Sequence, residues 1–130
     1  MATWDDVRRL AMAMPQAEEP GTRDNLQWKI GGKLFAWERP LRRSDRDALG
    51  DEAPDGPILA TRVADEGVKQ ALVADAPDVY FTIPHFEGYP AVLVRLEHIR
   101  VDELEELVTE AWLTRAPKRV AAAYLRNRGD

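Results

Sequence analysis

His85 stands two residues before Glu87 inside the run Thr82–Leu96, which packs a histidine, two aromatics and two prolines into one bend. An imidazole beside a carboxylate can exchange protons near neutral pH or share a metal ion. A metal needs further ligands, and the other histidine, His98, lies beyond a strand-like stretch. Roughly seven residues at ~3.3 Å each would separate the two imidazoles if that stretch is extended. The spacing argues against a shared metal site, and no metal or cofactor is expected. His85 is expected to hydrogen-bond within its own bend. The aromatics around it read first as core, and any ligand pocket is expected between the Gly31-Gly32 hairpin and the bend, with Trp37, His85 and Tyr89 at its mouth.

Other chemistries are thinly represented. The 130 residues contain no cysteine and a single serine, Ser44, set in a charged stretch. Disulfides, zinc–thiolate sites and thiol nucleophiles are therefore excluded, and a serine nucleophile with a placed base is not visible. Gly31-Gly32-Lys33 lacks the upstream glycine and the following Ser/Thr of a P-loop. No catalytic constellation emerges, and the chain reads as a non-enzyme.

Cations form two groups that could meet phosphates. Lys29 and Lys33 flank the hairpin tip, followed by Arg39, Arg42 and Arg43. A second stripe, Arg115, Arg119 and Arg126, is expected on the last helix, with Asp102, Glu103, Glu105, Glu106 and Glu110 upstream as a counterweight. Such groups give weak, salt-dependent contact with a nucleic-acid backbone and carry no base-reading motif. The formal net charge of −5 counts against a general attraction for DNA.

The elements that position these residues are legible from pattern. Thr3 is expected to cap a helix over about Trp4–Met14, with Val7, Leu10 and Ala11 on its inner face. Asn25–Ile30 and Lys33–Glu38 read as a hairpin around Gly31-Gly32, whose positive φ suits a two-residue turn. The expected register sets Trp28 against Phe35 and Leu26 against Trp37, all large apolar side chains on one face. Arg39–Pro57 is a long charged excursion with one helical turn near Ser44–Leu49. Ile58–Val63, Val79–Ile83 and Ala91–Glu97 are expected strands. Asp65 opens a short helix buried through Val68, Ala71 and Leu72. Asp102 with Glu105 suggests a capping box opening a helix with Leu104, Leu107, Val108 and Ala111 inward. A last helix is expected over Pro117–Arg126. Residues 1–130 are expected to form one α+β domain: two layers, about five antiparallel strands, helices on one face. No apolar run reaches the ~20 residues of a membrane span. The N-terminus shows no leader pattern, so a cytoplasmic setting is expected.

Several segments together resemble the MmcQ/YjbR family: Trp28-Lys29-Ile30-Gly31-Gly32-Lys33-Leu34-Phe35-Ala36, Phe81 through Leu96, Asp102–Leu107, Glu110-Ala111-Trp112 and Arg115–Arg119. Their order and spacing cover essentially the whole chain, although Arg39–Pro57 is longer than in compact members and nothing is carried over for it. The resemblance implies a fold related to the CyaY-like and secretion-chaperone-like α+β folds. Members are commonly labelled DNA-binding, with hairpins likened to wings, and no catalytic residue set is implied. The expected function is thus non-sequence-specific DNA binding through phosphate contacts. The alternative is a module for a small ligand or a protein partner, using the His85–Tyr89 bend.

Overall fold

In the computed structural model, which describes residues 2–128, Thr3 caps helix α1 (Trp4–Met12) as its position suggests. Asp6 N–H donates to Thr3 Oγ1 at 3.3 Å, and Thr3 N–H donates to Asp6 Oδ2 at 2.9 Å. These reciprocal bonds satisfy two amides that a helix start leaves without partners. Val7, Leu10 and Ala11 form the buried stripe of α1.

Strands β1 (Gln27–Ile30) and β2 (Lys33–Glu38) join through Gly31 and Gly32, whose φ angles are +57° and +79°. The turn is as expected, but the register is not. Ile30 pairs with Lys33 and Lys29 with Leu34, then the ladder slips, so that Trp28 faces Ala36 and Gln27 faces Trp37. A bulge that inserts one residue turns neighbouring side chains to the same face. Phe35 and Ala36 both enter the main core as a result, and Trp37 is sent to the opposite side of the sheet.

Strands β3 (Ile58–Arg62), β4 (Tyr80–Phe81) and β5 (Ala91–Arg95) complete an antiparallel sheet in the order β1-β2-β3-β5-β4. Leu59, Val92 and Val94 point to one face, and Ile58, Ala60, Ala91 and Leu93 to the other. Helices α1 and α4 (Val101–Arg115) cover the first face, burying Trp28, Phe35, Leu104, Val108 and Trp112 with those strand residues. The second face is also covered. Leu41, Leu49 and Trp37 pack there with Phe81, Ile83 and Phe86. The roof over this face comes from helix α2 (Arg43–Leu49), inside the charged excursion, and from the 3₁₀ turn Pro84–Phe86. The five-stranded antiparallel sheet with helices packed on one face is as expected. An apolar residue at every position from Ile58 to Ala60 and from Ala91 to Val94 makes the second face apolar as well, and the excursion and the bend partly cover it.

Asp65 caps helix α3 (Glu66–Asp75), accepting from Val68 N–H at 2.9 Å. Helix α4 opens instead on Arg100, without a side-chain cap, and Asp102 binds Arg100 and the Glu103 N–H. The expected capping box at Asp102 is therefore not formed. Ala116, with ψ 143°, breaks α4 before Pro117, and α5 (Lys118–Arg128) follows. The residue before a proline is driven to extended ψ, which separates the two helices. Among the described residues no helix is long and apolar enough to cross a membrane.

Tyr80, buried on β4, donates its hydroxyl to Glu103 of α4. Burial first, then the Glu103 carboxylate, push this phenol well above its usual range. An unfolded tyrosine ionises at about pH 10, where folded Tyr80 is still protonated. Above that pH the unfolded state holds fewer protons, so stability falls as pH rises, by up to ~1.4 kcal/mol per pH unit from this group. Tyr80→Phe is expected to flatten the decline in urea midpoint above about pH 10. Equal slopes for the two proteins would contradict this linkage.

Candidate functional site

The second sheet face carries a groove of about 680 Å³ between the hairpin side of the sheet and the bend at His85. Trp37, Phe86 and Tyr89 form its aromatic wall. Asn25, Gln27 and Leu34 stand on the hairpin side, and Arg39, Pro40, Leu41 and Arg42 line the margin leading to α2. Its volume lies in the range of small-molecule sites. Trp37, His85 and Tyr89 are brought together here, where the sequence suggested a pocket mouth. The bulge in the hairpin is what makes this possible, because in the expected register Trp37 would lie in the main core.

The three rings brace one another. Phe86 and Tyr89 meet edge to face, centroids 5.4 Å apart, and Trp37 lies 6.4 Å from Phe86 and 6.5 Å from Tyr89. Such offset and edge contacts stabilise aromatic clusters beyond the area they bury. Arg62 reaches across from β3, its guanidinium 4.9 Å from the Tyr89 ring centroid and its Nη1 donating to Tyr89 Oη at 3.3 Å. His85 makes no hydrogen bond among the described residues, and its ring leans on Phe86 at 6.2 Å. The expected hydrogen bond within the bend is therefore absent, leaving an exposed imidazole at the rim.

The bend itself is held from beneath by a residue that the sequence reading missed. Lys69 of α3 is 1% exposed. Its Nζ donates to Phe86 O and Tyr89 O, each at 2.8 Å, and pairs with the Glu66 carboxylate. An ammonium has three donors, and all three are used. That hydrogen bond holds the Glu66 carboxyl below its usual range. Of the expected inner residues of α3, Leu72 packs on the main core, joined by Val73 and Ala76, whereas Val68 and Ala71 are exposed. Stepping back one turn along that stripe from Leu72 and Val73 lands on Lys69, not Val68. The signal was present, but a lysine on an apolar stripe reads as its end.

The opposite margin has its own buried cation. Arg39 and Asp45 are both almost wholly buried, with Nη2 3.1 Å from Oδ2, and Arg39 lies over the Phe86 ring at 5.6 Å. Asp45 also accepts from the Arg42 N–H at 2.9 Å, which fixes the start of α2. Arg39 is thus committed inside the protein and is not an exposed phosphate ligand, as its place in a charged run had suggested.

The remaining expected phosphate contacts are dispersed. The ladder puts Lys29 with Leu34 and Lys33 with Ile30, on opposite sheet faces. Arg42 borders the groove, and Arg43 is exposed on α2. Arg115 ends α4, half-buried, whereas Arg119 is exposed on α5, so the two do not share the face of one helix. Among the described residues neither makes an ion pair with the acidic side chains of α4. His98 is engaged elsewhere, its Nδ1 2.8 Å from Asp78 O.

Fold and site together define an α+β domain with a five-stranded open antiparallel sheet, one face under helices and the other carrying an aromatic groove. The YjbR family model matches residues 12–114, and the chain belongs to the YjbR family. It is 59% identical to the uncharacterized protein Rv2570 of Mycobacterium tuberculosis over 132 residues, covering 99% of this chain and 100% of that protein. The uncharacterized protein Mb2600 of Mycobacterium bovis is similar to the same degree, at 59% identity. The fold is similar to the crystal structure of Deinococcus radiodurans protein DR2400, of domain family DUF419. That likeness has a TM-score of 0.63 at 22% identity and covers 87% of this chain and 78% of the other.

The buried pair makes a sharp thermodynamic test. Asp45→Ala strands the Arg39 charge and is expected to cost about 3–5 kcal/mol in urea unfolding. The double variant Arg39→Met/Asp45→Ala should recover a large part of that loss, because no uncompensated charge remains. Additive single and double effects would show that the pair is not coupled.

Proposed function

We propose that this YjbR-family domain is a cytoplasmic, non-enzymatic binding module for a small molecule, and that its site is the groove at Trp37, His85 and Tyr89. The observation that carries this reading is that both margins of the groove are fixed by buried cations, Lys69 under the bend and Arg39 at the start of the excursion. Burying a charge is costly unless it is paired, as Lys69 is with Glu66 and Arg39 with Asp45. Two such charges on either side of one cavity are consistent with a site built before its ligand arrives, and preorganisation of that kind raises affinity. Binding is favoured over catalysis because the rim offers an imidazole without a partnered nucleophile.

DNA binding through phosphates, the expectation attached to the family resemblance, has weaker physical support. Of its expected contacts, Arg39 is buried and paired, Lys29 and Lys33 lie on opposite sheet faces, and Arg115 and Arg119 lie on different helices of an acidic protein. Arg42 and Arg43 remain as an exposed pair beside the groove.

A thermal-shift screen against a metabolite library tests the proposal. A ligand at about a hundred times its Kd should raise Tm by roughly 5 °C or more. The shift should be lost in Trp37→Ala and weakened in His85→Ala. A flat screen, or a shift that survives in both variants, would defeat the groove as the site. In parallel, labelled duplex DNA at low salt should remain unbound at micromolar protein. Salt-sensitive binding abolished by Arg42→Glu/Arg43→Glu would instead establish the phosphate reading.

A further inference from the structure

We infer that the ligand of this groove is a planar aromatic anion, its ring stacked on the indole of Trp37 and its carboxylate or phosphate held by Arg42. The inference rests on the groove being a ligand site and concerns the chemistry it selects.

The ring is assigned from what each aromatic residue already does. Phe86 is buried beneath the guanidinium of Arg39, and Tyr89 is covered by that of Arg62. Trp37 has no cation over it among the described residues and is only half-buried. Its indole packs against Phe86 and Tyr89 within the cluster and, half-buried with no cation over it, keeps accessible surface for stacking. Gln27 is the cross-strand partner of Trp37 and also lines the groove. Directly opposed residues share a face, so an amide stands beside the indole, suited to the polar edge of a heteroaromatic ring.

The charge follows from subtraction. Arg39, Arg42 and Glu38 are the charged groups that line the groove, apart from His85. Arg39 is neutralised by Asp45, while Glu38 keeps its negative charge and is tied through Oε1 to the Leu26 N–H at 3.3 Å on the hairpin side. Arg42 is thus the groove cation left without a partner among the described residues. The Arg42 guanidinium makes no hydrogen bond or ion pair among the described residues, while its backbone N–H is fixed by Asp45 at 2.9 Å. A guanidinium with an anchored backbone and free donors is matched to a carboxylate or phosphate, which it can bind through two parallel hydrogen bonds. An aromatic surface can also attract an organic cation. The unpaired Arg42 guanidinium makes that outcome unfavourable here, because a cation would approach a like charge.

Trp37 reports directly. Its indole N–H resonance can be followed by NMR with benzoate, phenyl phosphate, benzyl alcohol, acetate, inorganic phosphate and phenyltrimethylammonium as separate probes. The expected result is that benzoate or phenyl phosphate binds about tenfold tighter than benzyl alcohol, a difference of ~1.4 kcal/mol, and tighter than either small anion. In Arg42→Met that advantage over benzyl alcohol should disappear. The stronger of benzoate and phenyl phosphate identifies the preferred anion. Equal affinities for benzoate and benzyl alcohol, an advantage that survives Arg42→Met, or tightest binding of phenyltrimethylammonium would each overturn the assignment while leaving the groove a ligand site. If no probe, neutral ring included, moves Trp37, the groove reading falls with it.

Discussion

A lysine ammonium removed from water needs three acceptors, and the way Lys69 finds them organises half of this protein. Two are main-chain carbonyls, of Phe86 and Tyr89, and the third is the Glu66 carboxylate one turn back on the same helix. Carbonyl oxygens can be offered in this way only if the chain bends so that both converge on one point. Gly88 at φ +76° and the short bonds from Phe86, Glu87 and Tyr89 N–H to Ile83, Pro84 and Phe86 O produce that bend. Once the lysine is in place, the rings of Phe86 and Tyr89 are fixed relative to the sheet. The helix that supplies Lys69 is in turn tied to the main core through Leu72, Val73 and Ala76. Packing on one side of the sheet thereby sets the geometry of the groove on the other.

The second constraint is the sheet itself. With apolar residues along both faces of β3 and β5, neither face can be left wet, and the five α-helices among the described residues do not cover both equally. The charged excursion between β2 and β3 closes part of the gap. It can pack over apolar side chains because the charges it buries answer each other, Asp45 pairing with Arg39 and starting α2, while its other charges stay exposed. What the excursion and the bend leave uncovered between them is the groove. The bulge in the hairpin then supplies its aromatic surface by sending Trp37 to the opposite side from Trp28 and Phe35.

Elements were more legible in the sequence than faces. Thr3, Asp65 and the Gly31-Gly32 pair announce their caps and turn through local chemistry, and each behaves as its residue type demands. Apolar periodicity located the strands and the inner side of α4. It failed where a polar residue is buried or a ladder slips, because neither leaves a mark in a binary pattern. Lys69 takes a position that hydrophobicity alone would give to Val68. Arg39 and Asp45 are lost among the other charges of their segment, though only these two of that segment are buried charged residues. The neighbourhood of the groove was anticipated from Trp37, His85 and Tyr89. The forces that hold it were not, since they depend on contacts between residues 17 and 20 positions apart.

If Lys69 is what holds the bend, removing its ammonium should loosen that segment before anything else. Amide hydrogen exchange in the wild type and in Lys69→Met, under conditions where both are folded, tests this directly. Protection of the Phe86, Glu87 and Tyr89 amides is expected to fall by about tenfold or more in the variant. Val92 and Leu93 at the centre of the sheet should fall no further than the global stability requires. Unchanged protection across the bend, or a uniform loss over bend and sheet alike, would contradict a wall built on this one buried charge.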